Sequence, residues 1–469
     1  MRLIALFASL FLFPFLPETA LAADAHGLDG AALSPLWGIP FVGLLLSIAV
    51  LPLAAGKFWH DHYGKVAAFW ALALLLPLVA IHGFNLTLHS VLHAALIEYF
   101  PFIILLLALF TIAGGILVKG DLPGTPGVNT SILALGTLLA SIVGTTGASM
   151  ILIRPILRAN AKRHSNTHVV IFFIFLVSNI GGALSPLGDP PLFIGFLRGV
   201  DFFWTTLNLA APTLFAAFVL LSIFYALDSW LTRKEKRPQK PRIQTIKILG
   251  SVNFLLLLGV IAATLLSAVW QPGVSFAIFG VVLELQNLAS NAALLSLAGL
   301  SLWLTPDTHR TANGFSWEPI AEVAKLFAGI FITIIPVLAM LQAGREGPFA
   351  LLLDAVTTKD GGPHDVAYFW LTGGLSAFLD NAPTYLVFFE LAGGDAKSLM
   401  GPLASALAAI SMGAVYMGAL TYIGNAPNFM VKTIAEQAGF RMPSFFGYFG
   451  WACLFLLPLF ALLTLIFIA

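Results

Sequence analysis

Charge and cysteine are both scarce in this chain. Of its 469 residues only 10% are charged, against about 25% in soluble domains, which excludes a large soluble domain. The single cysteine, Cys453, excludes an internal disulfide and any metal site built from several cysteines. It lies in the last apolar run and reads as a small core residue. A formal net charge of +1, with no basic stripe among aromatics, leaves no surface for nucleic acid. No His-Glu-x-x-His metal motif, phosphate-binding glycine loop or nucleophile elbow occurs, so neither a cofactor nor enzymatic activity is expected. What the chain has is apolar length: 59% of residues are hydrophobic and mean hydropathy is +0.94. It reads as an all-α polytopic protein in contact with membrane lipid.

Met1-Arg2, a Leu/Phe-rich run to Leu16 and Ala20-Leu21-Ala22 before Ala23-Asp24 match the parts of a secretory signal peptide, expected over residues 1–22. An uncleaved first helix is the alternative, and both readings place residues 24–34 outside. A spanning helix needs about 20 mostly apolar residues. Candidate spans are 36–54, 66–83, 100–118, 168–197, 209–230, 248–270, 273–304, 320–341, 402–431 and 446–468, with loop-back regions at 130–157 and 366–391. The strongest basic cluster, from Arg233 to Lys247, belongs in the cytoplasm. Counting outward from it puts Lys57, Lys65, Lys119, Arg158, Lys162 and Arg163 on the same side, provided that 130–157 enters and leaves there. That region then reads as a re-entrant hairpin with its tip at Gly144-Thr145-Thr146-Gly147.

A repeat organises the rest. Gly182-Ala183-Leu184-Ser185-Pro186-Leu187-Gly188-Asp189-Pro190-Pro191 returns in altered form 236 residues later as Gly418-Ala419-Leu420-Thr421-Tyr422-Ile423-Gly424-Asn425-Ala426-Pro427. The same offset carries the first tip onto Asp380-Asn381-Ala382-Pro383-Thr384, the tip of a second hairpin entering from outside. Each half therefore holds about five spans, one re-entrant hairpin and a broken helix, and the halves start on opposite sides. This predicts an inverted-topology repeat, residues 35–230 and 248–469, joined by a basic linker at 231–247. Paired breaks in matching positions point to a transporter's binding site at the midplane. Irregular backbone at that depth is tolerated only where protein or a watery cavity receives it.

Ionisable residues at membrane depth suggest function by default. Asp189 in the first broken helix and Asp380 at the second tip supply one carboxylate from each half. Asp380 is expected to serve the site more than to cap its hairpin. Asp189 is expected there too, although Asp before Pro also suits a helix cap. Around them lie Thr145, Thr146, Ser149, Ser178, Asn179, Ser185, Asn381, Thr384, Thr421, Asn425 and Asn428, all oxygen-bearing. Hard cations such as sodium prefer oxygen ligands, and a carboxylate in a semi-apolar cavity loads either a proton or a cation. Of the other charges, Glu322 and Lys325 are expected to pair locally, and Glu284 to be buried in its span near Gln286 and Asn287. Arg154 and Glu390, 236 residues apart on the returning arms of the hairpins, are expected to reach an interface. His82, His89 and His93 are placed on an amphipathic external stretch.

These motifs resemble the ion transporter superfamily, and within it the NhaD-type sodium:proton antiporters with their citrate- and arsenite-permease relatives. The matching stretches are 141–154, 178–193, 317–333, 376–390 and 418–430, and the order of spans agrees beyond about residue 35. The resemblance implies a scaffold and a transport domain working by an elevator movement, in a homodimer. It also implies an ion site at the hairpin tips and breaks, here Asp380, Asn381, Thr384, Asn425, Asn428, Thr145, Ser185 and Asp189. Dicarboxylate transporters of the superfamily carry Ser-Asn-Thr at both tips, contacting substrate carboxylates. This chain has Gly-Thr-Thr-Gly and Asp-Asn-Ala-Pro-Thr instead, which favours a cation.

The leading expectation is exchange of sodium or lithium for protons across a bacterial inner membrane. Cation-coupled transport of a citrate-like carboxylate or an oxyanion is the alternative. An intramembrane aspartyl protease fits poorly, because Pro186 stands where a Gly-x-Gly-Asp motif needs its first glycine and the repeat would be left without a role.

Overall fold

Apolar length becomes helix almost throughout, and the interruptions fall at glycine and proline. The computed structural model describes residues 28–120, 122–235 and 245–469. The expected signal peptide and residues 236–244 of the basic linker lie outside the described residues. Among the described residues nine helices are long and apolar enough to cross a membrane, and a bent pair makes a tenth candidate.

The first three candidate spans are α1 (Ile39–Ala54), α2 (Gly56–His82) and a continuous run from α3 (Phe84–His93) through a π-helical turn (Ala94–Tyr99) into α4 (Phe100–Ala113). This third span begins earlier than its hydropathy suggested and takes His89 and His93 into its helix. The first hairpin follows as α5 (Pro126–Val143) and α6 (Thr145–Asn160). Thr125 caps α5 by accepting from the Val128 N–H, and Pro126 fits the first turn, where its missing N–H costs nothing. Gly144 separates the two arms at φ +81, a conformation that suits glycine. Next come α7 (Thr167–Leu176), a 3-10 turn (Ile180–Leu184), α8 (Pro190–Leu197) and the long α9 (Trp204–Lys234).

The second half begins with α10 (Val252–Val269) and α11 (Leu285–Leu304). The span expected at 273–304 is shorter than predicted. Its first part is a ribbon of β3 (Ser275–Ile278) and β4 (Val281–Glu284), reversed at Phe279 and Gly280, both with positive φ, the backbone of a two-residue hairpin loop. Glu284 is consequently exposed at the ribbon's end, accepting from Gln286 at 2.7 Å. The expected span at 320–341 bends by 43° between α12 (Glu318–Thr333) and α13 (Ile335–Gln342), where Pro336 sits in the first turn of α13. Glu322 and Lys325 do not pair with each other. Glu322 lies beside Trp59, and the Lys325 ammonium lies 5.1 Å from the Tyr63 ring centroid, both on α2. The second hairpin is α14 (Asp365–Phe378) and α15 (Asn381–Leu391), followed by α16 (Ala404–Met417), a short 3-10 turn, α17 (Ala426–Gln437) and α18 (Phe445–Leu463).

The helices pack in two groups. In one, α1, α2, the α3–α4 span, α10, α11 and α12 contact one another. In the other, both hairpins pack with both broken helices and α9: α5 on α6 and α9, α14 on α15 and α16, α8 on α15, α17 on α6. The groups meet along α4 with α6 and α13 with α15. A helix apolar on every side belongs in the interior, and α7 behaves so: the span containing it is 89% buried, against 22% for α2, whose free face suits lipid. A two-stranded ribbon of β1 (Leu117–Lys119) and β2 (Lys247–Leu249), antiparallel with Val118 opposite Ile248, ties the halves together at the basic end.

Candidate functional site

The two breaks share one backbone design. Ser185 donates its hydroxyl to the Ser141 carbonyl, and Thr421 donates to the Ala377 carbonyl. Donors and acceptors are each 236 residues apart. The Leu187 N–H returns to Ser185 Oγ and the Ile423 N–H to Thr421 Oγ1, both at 3.2 Å. Ser185 and Thr421 thus act as hooks that fasten each break to its own hairpin, rather than as groups pointing into an open site. Each break also closes on itself tightly. A Cβ at Gly188 would fall 2.1 Å from the Gly182 carbonyl oxygen, and one at Gly424 2.6 Å from that of Gly418, so only glycine permits the approach.

The backbones at Asp189 (φ −144, ψ 144) and Asn425 (φ −151, ψ 137) are nearly alike, each just before a half-helix with proline in its first turn. Neither side chain caps its own helix. Both turn inward, and they meet. Asp189 Oδ1 accepts from Asn425 Nδ2 at 3.0 Å and from Thr145 Oγ1 at 2.9 Å, and Oδ2 accepts from Asn381 Nδ2 at 2.5 Å. Thr145 and Asn381 are the first residues of α6 and α15. One carboxylate, 2% exposed, is therefore held by both hairpin tips and by its own counterpart. Four helix N-termini converge on it, each with a positive dipole end that favours negative charge.

An amide web backs this centre. Asn425 also donates to the Ser178 carbonyl at 3.1 Å and to Asn179 Oδ1 at 3.2 Å. Asn179 donates to Asn428 Oδ1 at 2.7 Å, and Asn428 donates to the Gly418 and Thr421 carbonyls. Ser149 and Ser178 share a hydroxyl contact at 2.9 Å. Asn381 Oδ1 is buried without a hydrogen-bond partner among the described residues, leaving a free oxygen beside the Asp189 carboxylate.

Of the residues singled out from sequence, Asp189, Thr145, Asn381 and Asn425 come together, with Asn179 and Asn428 behind them. Asp380 is half-buried and close enough for its charge to be felt at Asp189. Its carboxylate caps α15, accepting from the Ala382 N–H at 3.0 Å. Thr384 bonds back to the Asp380 carbonyl at 2.9 Å. Thr146 is half-buried beside the tip. The expected weighting of the two aspartates is thus reversed in the geometry: Asp380 caps and Asp189 does not.

Sequence reasoning passed over a second polar network. Asp228 on α9, fully buried, accepts from Arg163 at 2.6 Å, His168 at 2.9 Å and Asn129 at 2.9 Å. Asn129 and Asn160, at the two feet of the first hairpin, exchange bonds of 3.0 and 2.8 Å. A buried, fully satisfied network of this kind fixes geometry; here it pins the feet of the hairpin while its tip reaches Asp189. An acid inside the apolar span 209–230 was the available signal.

Curated proteins similar to this chain include uncharacterized transporters of Mycobacterium bovis and Mycobacterium tuberculosis, each 24% identical over 318 residues that cover 66% of this chain and 69% of the relative. A family profile matches nearly the whole described length, residues 30–468. The chain belongs to that family, a transporter family whose description reads "Putative citrate transport".

Proposed function

We propose that this multi-pass membrane transporter exchanges sodium, or lithium, for protons across a bacterial inner membrane, with Asp189 as the shared binding group. The observation that carries this reading is the occupant of the hairpin tips. Where the tips of dicarboxylate carriers face a substrate carboxylate, Thr145 and Asn381 here hold the protein's own carboxylate. A carboxylate supplied by the protein calls for a proton or a cation, not a second anion. The bonds to Asp189 come from neutral donors, so its charge is left for a proton or cation to neutralise. Asn381 Oδ1 and the Asp189 oxygens are the hard ligands a small cation would use. Rotation of the Asn425 amide would add its Oδ1 to them.

The common offset of hooks, glycine contacts and helix starts supports an inverted repeat, with its two halves facing one midplane site. The grouping of both hairpins with both broken helices supports an elevator movement of that group against the other. The chain's family favours a second reading, cation-coupled uptake of a citrate-like carboxylate. In it, the cation at Asp189 would screen the charge before the anion arrives.

Proteoliposomes carrying a pH-sensitive dye distinguish the two. Pulses of sodium or lithium should move protons in the purified wild type and not in Asp189→Asn, and lowering the pH should weaken the apparent sodium affinity as protons compete for the carboxylate. Proton movement indifferent to sodium but driven by citrate would discard the exchange reading in favour of the second.

A further inference from the structure

Away from Asp189, an ionic cluster with two buried carboxylates joins the two helix groups. Arg198, at the C-terminal end of α8, donates to Glu390 Oε1 at 2.5 Å and to Glu98 Oε1 at 2.7 Å. Gln342 Nε2 donates to the other Glu390 oxygen at 3.1 Å. The side chains of Glu390 and Glu98 are 1% and 8% exposed, that of Arg198 21%. Arg198 and Glu390 belong to α8 and α15, in the group that holds the hairpins. Glu98 lies on the π-helical turn of the third span and Gln342 ends α13, both outside that group. Two of the three contacts therefore cross the boundary. A π turn inside a helix is uncommon and recurs at functional positions; this one carries the carboxylate that meets Arg198.

The opposite end of the boundary is built differently. Arg154, the counterpart of Glu390 on the first hairpin, packs against Gly314, where a Cβ would fall 2.1 Å from its Nη2. Its Nη1 is buried without a partner among the described residues. Matched positions on the two hairpins thus touch the surrounding helices through an ionic cluster at one end and by packing alone at the other.

We propose that Arg198, Glu98, Glu390 and Gln342 form a latch that holds the hairpin group in the position seen here and must open in each transport cycle. The latch rests on the elevator reading given above. Its two carboxylates are shielded from water and Arg198 is partly exposed, so opening exchanges charge-assisted bonds for hydration of Glu98 and Arg198 and the two positions stay close in free energy. The latch therefore sets the balance between the two positions without touching the transported ion.

Pulsed electron-spin distance measurement tests this in proteoliposomes. Labels go on Glu346→Cys, beyond α13, and Lys397→Cys, beyond α15, in a Cys453→Ser background; both label positions are exposed. The wild-type background should give two distance populations. Glu98→Gln and Glu390→Gln should each raise the minor one about tenfold, as loss of a charge-assisted bond implies, with Arg198→Lys falling between. Glu98→Gln carries the test alone if the more buried Glu390 variant fails to fold. Two populations in an unchanged ratio in Glu98→Gln would overturn the latch and leave the movement intact. A single distance in every protein, with or without sodium or citrate, would remove the movement and the latch with it.

Discussion

The two broken helices share a frame and differ in charge. Ser185 and Thr421 make the same hook, Gly188 and Gly424 the same tight closure, and Asp189 and Asn425 hold the same extended backbone. Only at the last pair does the chemistry diverge, carboxylate against amide. The shared backbone decides where the side chains go. One atom substitution, oxygen for nitrogen, decides which copy carries charge and which donates to it.

The largest break in this comparison removes the charge. Asp189→Asn should lower ion-dependent proton movement by roughly a hundredfold, the scale of truncating a buried charged partner. Adding Asn425→Asp to that variant hands the carboxylate to the other copy, and initial rates in proteoliposomes should recover in part. No recovery would mean that the two copies are not interchangeable. Next, Asn381→Ala removes one donor and the free oxygen together, and should weaken sodium affinity about tenfold, since bonds to charged groups contribute about 1.5–3 kcal/mol. Half-saturating sodium in the same vesicles measures it.

Smaller effects separate the aspartates and the hooks. Asp380→Ala removes a helix cap and should cost about 1 kcal/mol of stability, read as a lower melting midpoint in detergent, with a smaller transport loss than Asp189→Asn. A loss equal to that of Asp189→Asn would return Asp380 to the centre of the site. Smallest is the difference between Ser185→Ala and Thr421→Val. Each removes one hook worth about 1 kcal/mol, so their melting midpoints should fall by the same amount if the frames are equivalent.

Much of this was legible in sequence because glycine, proline and polar residues stand out against an apolar background. The repeat offset located both tips and both breaks to within a residue or two, and it named Thr145, Asn381, Asn425 and Asp189. What it could not supply was direction. Asp380 and Asp189 both precede a helix, and either suits a cap; only the fold reveals that Asp380 turns back to the Ala382 N–H while Asp189 turns inward. The β3–β4 ribbon escaped because a short apolar run has no periodicity to tell strand from helix. Glu390, expected to reach an interface, is buried instead, because its partner Arg198 is brought to it from 192 residues away.

The ribbon of β1 and β2 sits where the chain passes from one helix group to the other. β1 lies between α4 and the first hairpin, and β2 between α9 and α10. Two crossings are thus pinned to one bracket, and slack exists only beyond it. The seven peptide steps from Lys119 to Pro126 reach at most roughly 25 Å when fully drawn out. Under the proposed elevator movement, that tether would cap the stroke of the first hairpin.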